Sequence, residues 1–295
     1  MDSLNKLDLE LKKIGYISDS QINMSILLSE ELKKPLLIEG PAGVGKTEIA
    51  KVLAQMHSTD LIRLQCYEGL DVHHSLYEWN YQRQLLFLKM VEGDSRSLVE
   101  KEQQIFSDEF LLKRPLLQAI THPKRPVLLI DELDRADEEF ESFLLELLSD
   151  WQISIPELGT IKARQIPLVI ITSNRVRELS DALRRRCMYL WIDYPDLAKE
   201  VRIISEKVPD LSATLAQKIG EFMQEVRQLR LDKVPGTAET LDWARALASL
   251  HADHLDKDMV MNTLGLVIKD YQDTRHLQDS LSELLTKVGV VSKLD

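Results

Sequence analysis

Cysteine is nearly absent from this chain of 295 residues: Cys66 and Cys187 alone occur, at a spacing that fits neither a metal clip nor a disulfide framework. A cytosolic compartment is the simplest expectation. Long apolar runs are missing too, since no stretch approaches the ~18 residues of a membrane span. Met1 to Leu11 alternates Leu with Asp, Glu and Lys and offers no apolar signal region. Positive charge is in deficit. With 37 Lys and Arg against 48 Asp and Glu, the net charge is −11. That balance speaks against a general binder of nucleic acid or anionic membranes, which would need a positive surface field. No internal repeat or low-complexity tract is present. What remains, 44% hydrophobic with 29% charged residues, is ordinary globular composition, and the length suggests two domains at roughly 100 to 200 residues each.

Against that background one stretch stands out. Gly40-Pro41-Ala42-Gly43-Val44-Gly45-Lys46-Thr47 follows the apolar run Leu36-Leu37-Ile38 and precedes Glu48-Ile49-Ala50-Lys51-Val52-Leu53-Ala54. The order is strand, glycine loop, helix. Gly43 and Gly45 let backbone N–H groups turn inward around a phosphate, and the following helix adds its positive dipole end there. Lys46 is placed for the β- and γ-phosphates, and the Thr47 hydroxyl is the expected Mg²⁺ ligand, so the pattern Gly-x-x-x-x-Gly-Lys-Thr is complete. With Glu48 at the helix start, these residues are the expected nucleotide contacts. The alternative is a glycine turn with a solvated lysine.

The rest of the first two thirds alternates strands with helices. Helical spacing covers residues 3–14 and 19–33. Leu61 to Cys66 alternates as a second strand, while Val127 to Ile130 and Leu168 to Ile171 are unbroken apolar runs, as parallel strands covered on both faces require. Glu138 to Ser149 reads as an acidic helix with Phe140, Phe143, Leu144, Leu147 and Leu148 on its buried face. A last core strand spans Cys187 to Ile192. Residues 72–110, with Tyr77, Trp79 and Tyr81 near their start, read as a partly helical insertion. After Pro195 helical patterns alone follow one another, punctuated by Pro209 and Pro235-Gly236. The expected domains are therefore 1–195, an α/β nucleotide domain, and 196–295, a helical lid.

Asp131-Glu132 closes the strand Val127 to Ile130, where ligands of parallel sheets collect. In that place Asp131 holds Mg²⁺ through water and Glu132 orients and activates the attacking water; the competing reading is an acidic helix cap. Thr172-Ser173-Asn174 closes the neighbouring strand, and the Asn174 amide can accept from water while donating to phosphate. Arg184-Arg185-Arg186 is either a solvated face or a source of one arginine for a neighbouring subunit's γ-phosphate. His73-His74 lacks a third ligand for a metal.

These motifs resemble, in order, the Walker A, Walker B, sensor 1 and arginine finger of AAA+ ATPases. Within that superfamily the chain looks like the MoxR group and its CoxD-type branch. The resemblance lies in Gln65-Cys66-Tyr67-Glu68-Gly69-Leu70-Asp71, in Tyr77-Glu78-Trp79-Asn80-Tyr81 and in Glu239-Thr240-Leu241-Asp242-Trp243-Ala244-Arg245-Ala246-Leu247. The resemblance implies a P-loop αβα sandwich with a parallel five-stranded sheet and a C-terminal helical lid, ATP and Mg²⁺ as cofactors, and a homo-oligomeric ring, hexameric for preference. It implies a partner with a von Willebrand factor A domain and a chaperone role in maturing or activating a metalloenzyme, with the metal cluster of a molybdenum carbon monoxide dehydrogenase as the branch's client. Carried over by position, Lys46, Thr47, Asp131, Glu132 and Asn174 keep the roles given above, and Arg186, directly before Cys187, matches the finger ahead of Arg185. No arginine stands at the place near Pro235 to Glu239 where many relatives present one to the γ-phosphate; Arg245 is the available substitute. No aromatic pore loop is evident either. A small-molecule kinase and a nucleic-acid motor are the rival readings.

Overall fold

A computed structural model describes residues 2–93 and 96–290. The chain separates into two compact units that do not follow sequence order. One comprises Ser20–Glu39 and Thr47–Trp191 together with the first four residues, and the other Asn5–Asp19, Gly40–Lys46 and Ile192–Asp295.

In the first unit, helix α1 (Asp2–Lys13) contributes only its opening residues, and α2 (Ser20–Leu32) leads through Pro35 into β1 (Leu36–Glu39). After α3 (Lys46–Met56) come β2 (Leu61–Gln65), α4 (Val72–Ser75), β3 (Tyr77–Trp79), α5 (Tyr81–Met90), α6 (Leu98–Ile105), β4 (Leu111–Lys113), α7 (Pro115–Thr121) and β5 (Val127–Asp131). A short 3₁₀ turn (Leu133–Arg135) precedes α8 (Glu138–Asp150), β6 (Gln152–Ile155), β7 (Gly159–Lys162), β8 (Leu168–Ser173), α9 (Asp181–Arg186) and β9 (Met188–Trp191). The five-stranded sheet has the order β2-β5-β8-β1-β9 and is parallel throughout.

Why these residues make that sheet is visible in their burial. Every residue of β1, β5 and β8 is buried, and these are the three inner strands; β2 and β9, at the edges, are part exposed. Leu128, Ile130, Val169 and Ile171, which alternate along their strands and so share a face, pack in one cluster with Leu116, Leu117 and Ile120 of α7 and Leu144, Leu147 and Leu148 of α8. The parallel register sets the carboxyl ends side by side: Gln65 pairs with Asp131, Ile130 with Ile171, and Glu39 with both Ser173 and Trp191.

The expected insertion is structured. Residues 72–110 hold α4, β3, α5 and α6, and β3 pairs antiparallel with β4, which lies just beyond them. Tyr77 and Trp79 lie edge to face at 6.1 Å, and Trp79 against Phe106 at 5.3 Å, so this aromatic alternation builds a local core, while Tyr81 opens α5 exposed. A β6–β7 hairpin, Gln152 to Lys162, was not foreseen from the sequence.

In the second unit, α10 (Leu197–Lys207), α11 (Ala213–Gln228), α12 (Thr237–Ser249), α13 (Lys257–Val267) and α14 (Tyr271–Lys287) surround Phe222 and Trp243, whose rings sit 5.2 Å apart. Arg227, 7% exposed, pairs with the fully buried Glu200 at 2.6 Å, and Thr240 and Gln224 donate to the same carboxylate. The N-terminal segment joins this unit through Lys199, whose Nζ reaches Asp19 at 2.6 Å. Among the described residues no helix is long and apolar enough to cross a membrane.

Candidate functional site

The turn between β1 and α3 is shaped for an anion. Gly43 and Gly45 adopt φ of 75° and 92°, the left-handed region that glycine enters without steric cost and that turns successive N–H groups inward. Nothing would meet a Cβ on Gly45, so its glycine answers to φ alone; a Cβ on Gly40 would lie 1.9 Å from the Ile192 carbonyl oxygen. Lys46, 7% exposed, curls back, its Nζ donating to the carbonyls of Gly40 (2.8 Å) and Pro41 (2.6 Å).

The start of α12 closes on this turn. Ala238 N donates to Gly43 O at 3.0 Å, and a Cβ on Gly236 would come within 2.8 Å of Gly43 Cα. Glu239 accepts from Gly236 N at 2.8 Å, and its Oε2 would stand 2.9 Å from a Cβ on Gly43. Where the resemblance calls for an arginine, a carboxylate therefore adjoins the turn. Arg245 pairs instead with Asp242, on an exposed part of the same helix.

In the sheet unit, Asp131 is buried and both oxygens are engaged. Oδ1 accepts from the hydroxyls of Thr47 (3.2 Å) and Thr172 (2.5 Å), Oδ2 from Arg63 Nε (3.0 Å) and Nη2 (2.5 Å). Glu132 follows in a left-handed conformation, φ 55° and ψ 49°, which a non-glycine residue holds only at a cost of about 1–3 kcal/mol. That twist points its backbone N–H at Thr172 Oγ1, 2.9 Å away. Its carboxylate is held from two sides, Oε2 by Gln65 Nε2 at 3.1 Å and Oε1 by Asn174 Nδ2 at 3.2 Å. Arg135 Nη1 lies 3.4 Å from Oε2. Asp134 fixes the segment after β8 by accepting from Asn174 N (3.1 Å) and Val176 N (2.8 Å).

Burial raises the neighbouring Cys66 thiol to about 12, helped by the charges of Asp131, Asp134 and Glu132. It is a neutral wall of the acidic cluster and not a nucleophile.

The three arginines have different surroundings. All occupy the last turn of α9, whose N-cap Ser180 accepts from Leu183 N. Arg184 turns inward: its Nη2 donates to Glu39 Oε1 at 2.9 Å, and Tyr189 OH donates to Oε2 at 3.0 Å, so this fully buried carboxylate at the end of β1 is satisfied. Arg186 is exposed and rests on Ser149 Oγ (2.9 Å) and Ala182 O (3.1 Å). Arg185 is exposed and makes no hydrogen bond or ion pair with the described residues. Glu48 pairs with Lys51 at 3.2 Å on the exposed side of α3.

The structure thus brings Thr47, Asp131, Glu132 and Asn174 into one bonded cluster, and adds four residues that sequence reading did not assign: Arg63, Gln65, Thr172 and Asp134. Arg63 and Gln65 are separated by one residue on a strand and so share a face; two polar side chains on one face at a strand's carboxyl end were the available signal. The donor set suits a hard divalent ion, since a hydroxyl and a carboxylate oxygen converge at Thr47 and Asp131. The positive-φ turn suits a phosphate.

A parallel sheet with a glycine turn after one strand and an acidic pair after another defines a P-loop nucleotide-binding protein. The sequence profile of the ATPase family associated with various cellular activities matches residues 36–193, and the chain belongs to that family, AAA. It is 25% identical to the gas vesicle ATPase GvpN of Haloferax mediterranei over 85% of this chain and 73% of that protein. It is 23% identical to the denitrification regulatory protein NirQ of Stutzerimonas stutzeri over 73% of this chain and 72% of NirQ. A mutant of Thermotoga maritima RuvB shares the fold at a TM-score of 0.50 and 18% identity, over 98% of this chain and 83% of RuvB.

Proposed function

We propose that this chain is a MoxR-type AAA+ ATPase that hydrolyses ATP to drive chaperone-like maturation or activation of a metalloenzyme. The observation that carries the hydrolytic part is the Glu132 carboxylate, held between the amides of Gln65 and Asn174 beside the Thr47–Asp131 pair. A carboxylate that accepts one amide N–H on each oxygen is fixed in place and still has lone pairs left to accept from water, as a base that takes a proton from water must. Lys46 and the backbone N–H groups of residues 43–47 would hold the phosphates, and Thr47 with Asp131 would hold Mg²⁺, which supplies charge neutralisation on the phosphate oxygens. Asn174 positions Glu132 and stands ready to share the water. Arg186, with Arg185 as runner-up, would complete a neighbour's site in a ring, hexameric for preference.

The chaperone part rests on the MoxR-like stretches Gln65 to Asp71, Tyr77 to Tyr81 and Glu239 to Leu247, and on likeness to GvpN and NirQ, whose names are those of a gas vesicle ATPase and a denitrification regulator. A CoxD-type role, on a molybdenum carbon monoxide dehydrogenase with a von Willebrand factor A partner, is the most specific form of the proposal.

Glu132→Gln tests the base. It should bind ATP as the wild type does and hydrolyse it about 100-fold or more slowly; unchanged turnover removes Glu132 from that role. The same variant, held in its ATP state, should retain a metalloenzyme or a von Willebrand factor A protein in affinity capture. Turnover that depends on a small-molecule acceptor would point to a kinase, and DNA-stimulated turnover to a nucleic-acid motor.

A further inference from the structure

The carboxylate assigned to Mg²⁺ already carries a cation. Arg63, on edge strand β2, sets both Nε and Nη2 on Asp131 Oδ2, at 3.0 and 2.5 Å, while the Thr47 and Thr172 hydroxyls occupy Oδ1. The pair is lopsided in burial: the Asp131 side chain is 5% exposed and that of Arg63 54%. Arg63 therefore reaches in from solvent and can withdraw without opening the core, whereas Asp131 cannot leave. Its Nη2 also donates to Gln65 Oε1, so one nitrogen is shared between Asp131 and Gln65 in the resting position.

Two physical needs meet here. A buried carboxylate without a compensating charge is costly, and Arg63 meets that need. A divalent ion at the same carboxylate would face the guanidinium as a like charge, in surroundings that screen poorly because Asp131 is buried. The two cations therefore compete for one group.

We propose that Arg63 is a resident competitor for the metal site. It neutralises Asp131 while Thr47 and Asp131 hold no Mg²⁺, and so raises the Mg²⁺ concentration at which nucleotide binds. The inference rests on the assignment of Thr47 and Asp131 to Mg²⁺ made above. It gives the chain a built-in bias toward the metal-free state, relieved when Arg63 swings to solvent.

The test is equilibrium binding of a fluorescent ADP analogue to the full chain at graded Mg²⁺, with no turnover involved. Arg63→Gln, and Arg63→Met which keeps the aliphatic stem, should lower the Mg²⁺ midpoint about threefold or more, the scale of a half-exposed ion pair. Arg63→Lys, which keeps the charge, should stay near wild type. A midpoint unchanged or raised in both neutral variants, with circular dichroism intact, overturns the competitor role and leaves Arg63 as a support for Asp131. An equal fall in Arg63→Lys overturns the electrostatic account. A wild type whose binding ignores Mg²⁺, as Asp131→Asn should, overturns the metal assignment itself and this inference with it.

Discussion

Single residues carry more of this molecule's stability than their number suggests, because several charges are fully enclosed. Glu200 has no exposure and depends on Arg227, Thr240 and Gln224. Arg227→Ala would leave that carboxylate underpaired, at a cost of about 3–5 kcal/mol, measurable as a lower urea midpoint with an unchanged slope. Loss of only a few tenths would mean that Thr240, Gln224 and water satisfy Glu200 without Arg227. The two thiols are a different case, neutral groups that burial keeps protonated. Burial raises Cys66 to about 12, with the Asp131, Asp134 and Glu132 charges adding to it, and raises Cys187 to about 12 against the opposing pull of Lys34 and Arg186. Both folded values exceed the unfolded 9.0, so the stabilisation is complete below pH 9 and is lost as pH rises from there toward 12. Each thiol should remove about 1.4 kcal/mol per pH unit in that window. Urea unfolding from pH 8 to 10.5 measures it, with Cys187→Ser flattening the slope.

At the scale of elements, the meeting of the β1–α3 turn with α12 is a backbone-to-backbone contact between two glycines. Gly236→Ala sets a Cβ 2.8 Å from Gly43 Cα and from Ala42 O, where neither neighbour is a side chain that can give way, so a destabilisation of about 1–3 kcal/mol is expected. Gly265, inside α13 with nothing within 4 Å of a Cβ, is the control: Gly265→Ala should stabilise by about 0.5–1 kcal/mol. Melting curves of the two variants should shift in opposite directions. The elements that sequence reading recovered best share a cause. β5 and β8 are buried on both faces and so read as unbroken apolar runs, and α8 and α12 carry full helical stripes. The β6–β7 hairpin and the β3–β4 pair were not legible, since three or four residues per strand, with only Trp79, Leu111, Ile153 and Ile155 among their buried residues, leave no periodicity to count. The site divided in the same way. Gly40 to Thr47 and Asp131-Glu132 are local patterns, readable at once, whereas Arg63, Thr172 and Glu39 acquire meaning only when the parallel register sets Gln65 beside Asp131 and Glu39 beside Ser173.

For the whole molecule the open question is whether one chain suffices. Arg184 faces inward onto the buried Glu39, so a charge offered outward from α9 would come from Arg185 or Arg186. A guanidinium given to a neighbour must be exposed and held only by replaceable bonds. Arg186, on Ser149 Oγ and Ala182 O, meets that condition, as does Arg185. If Arg186 acts in trans, an Arg186→Ala subunit has an intact base but lacks a finger at its site only when its neighbour is also Arg186→Ala. A Glu132→Gln neighbour, itself unable to hydrolyse, supplies the arginine. Mixing the two inactive variants should then give turnover above either parent, greatest at intermediate ratios and dependent on total protein concentration. Rescue by Arg185→Ala but not by Arg186→Ala moves the role one residue back along α9. No rescue by either at any ratio would confine these arginines to their own chain and leave each subunit to hydrolyse alone.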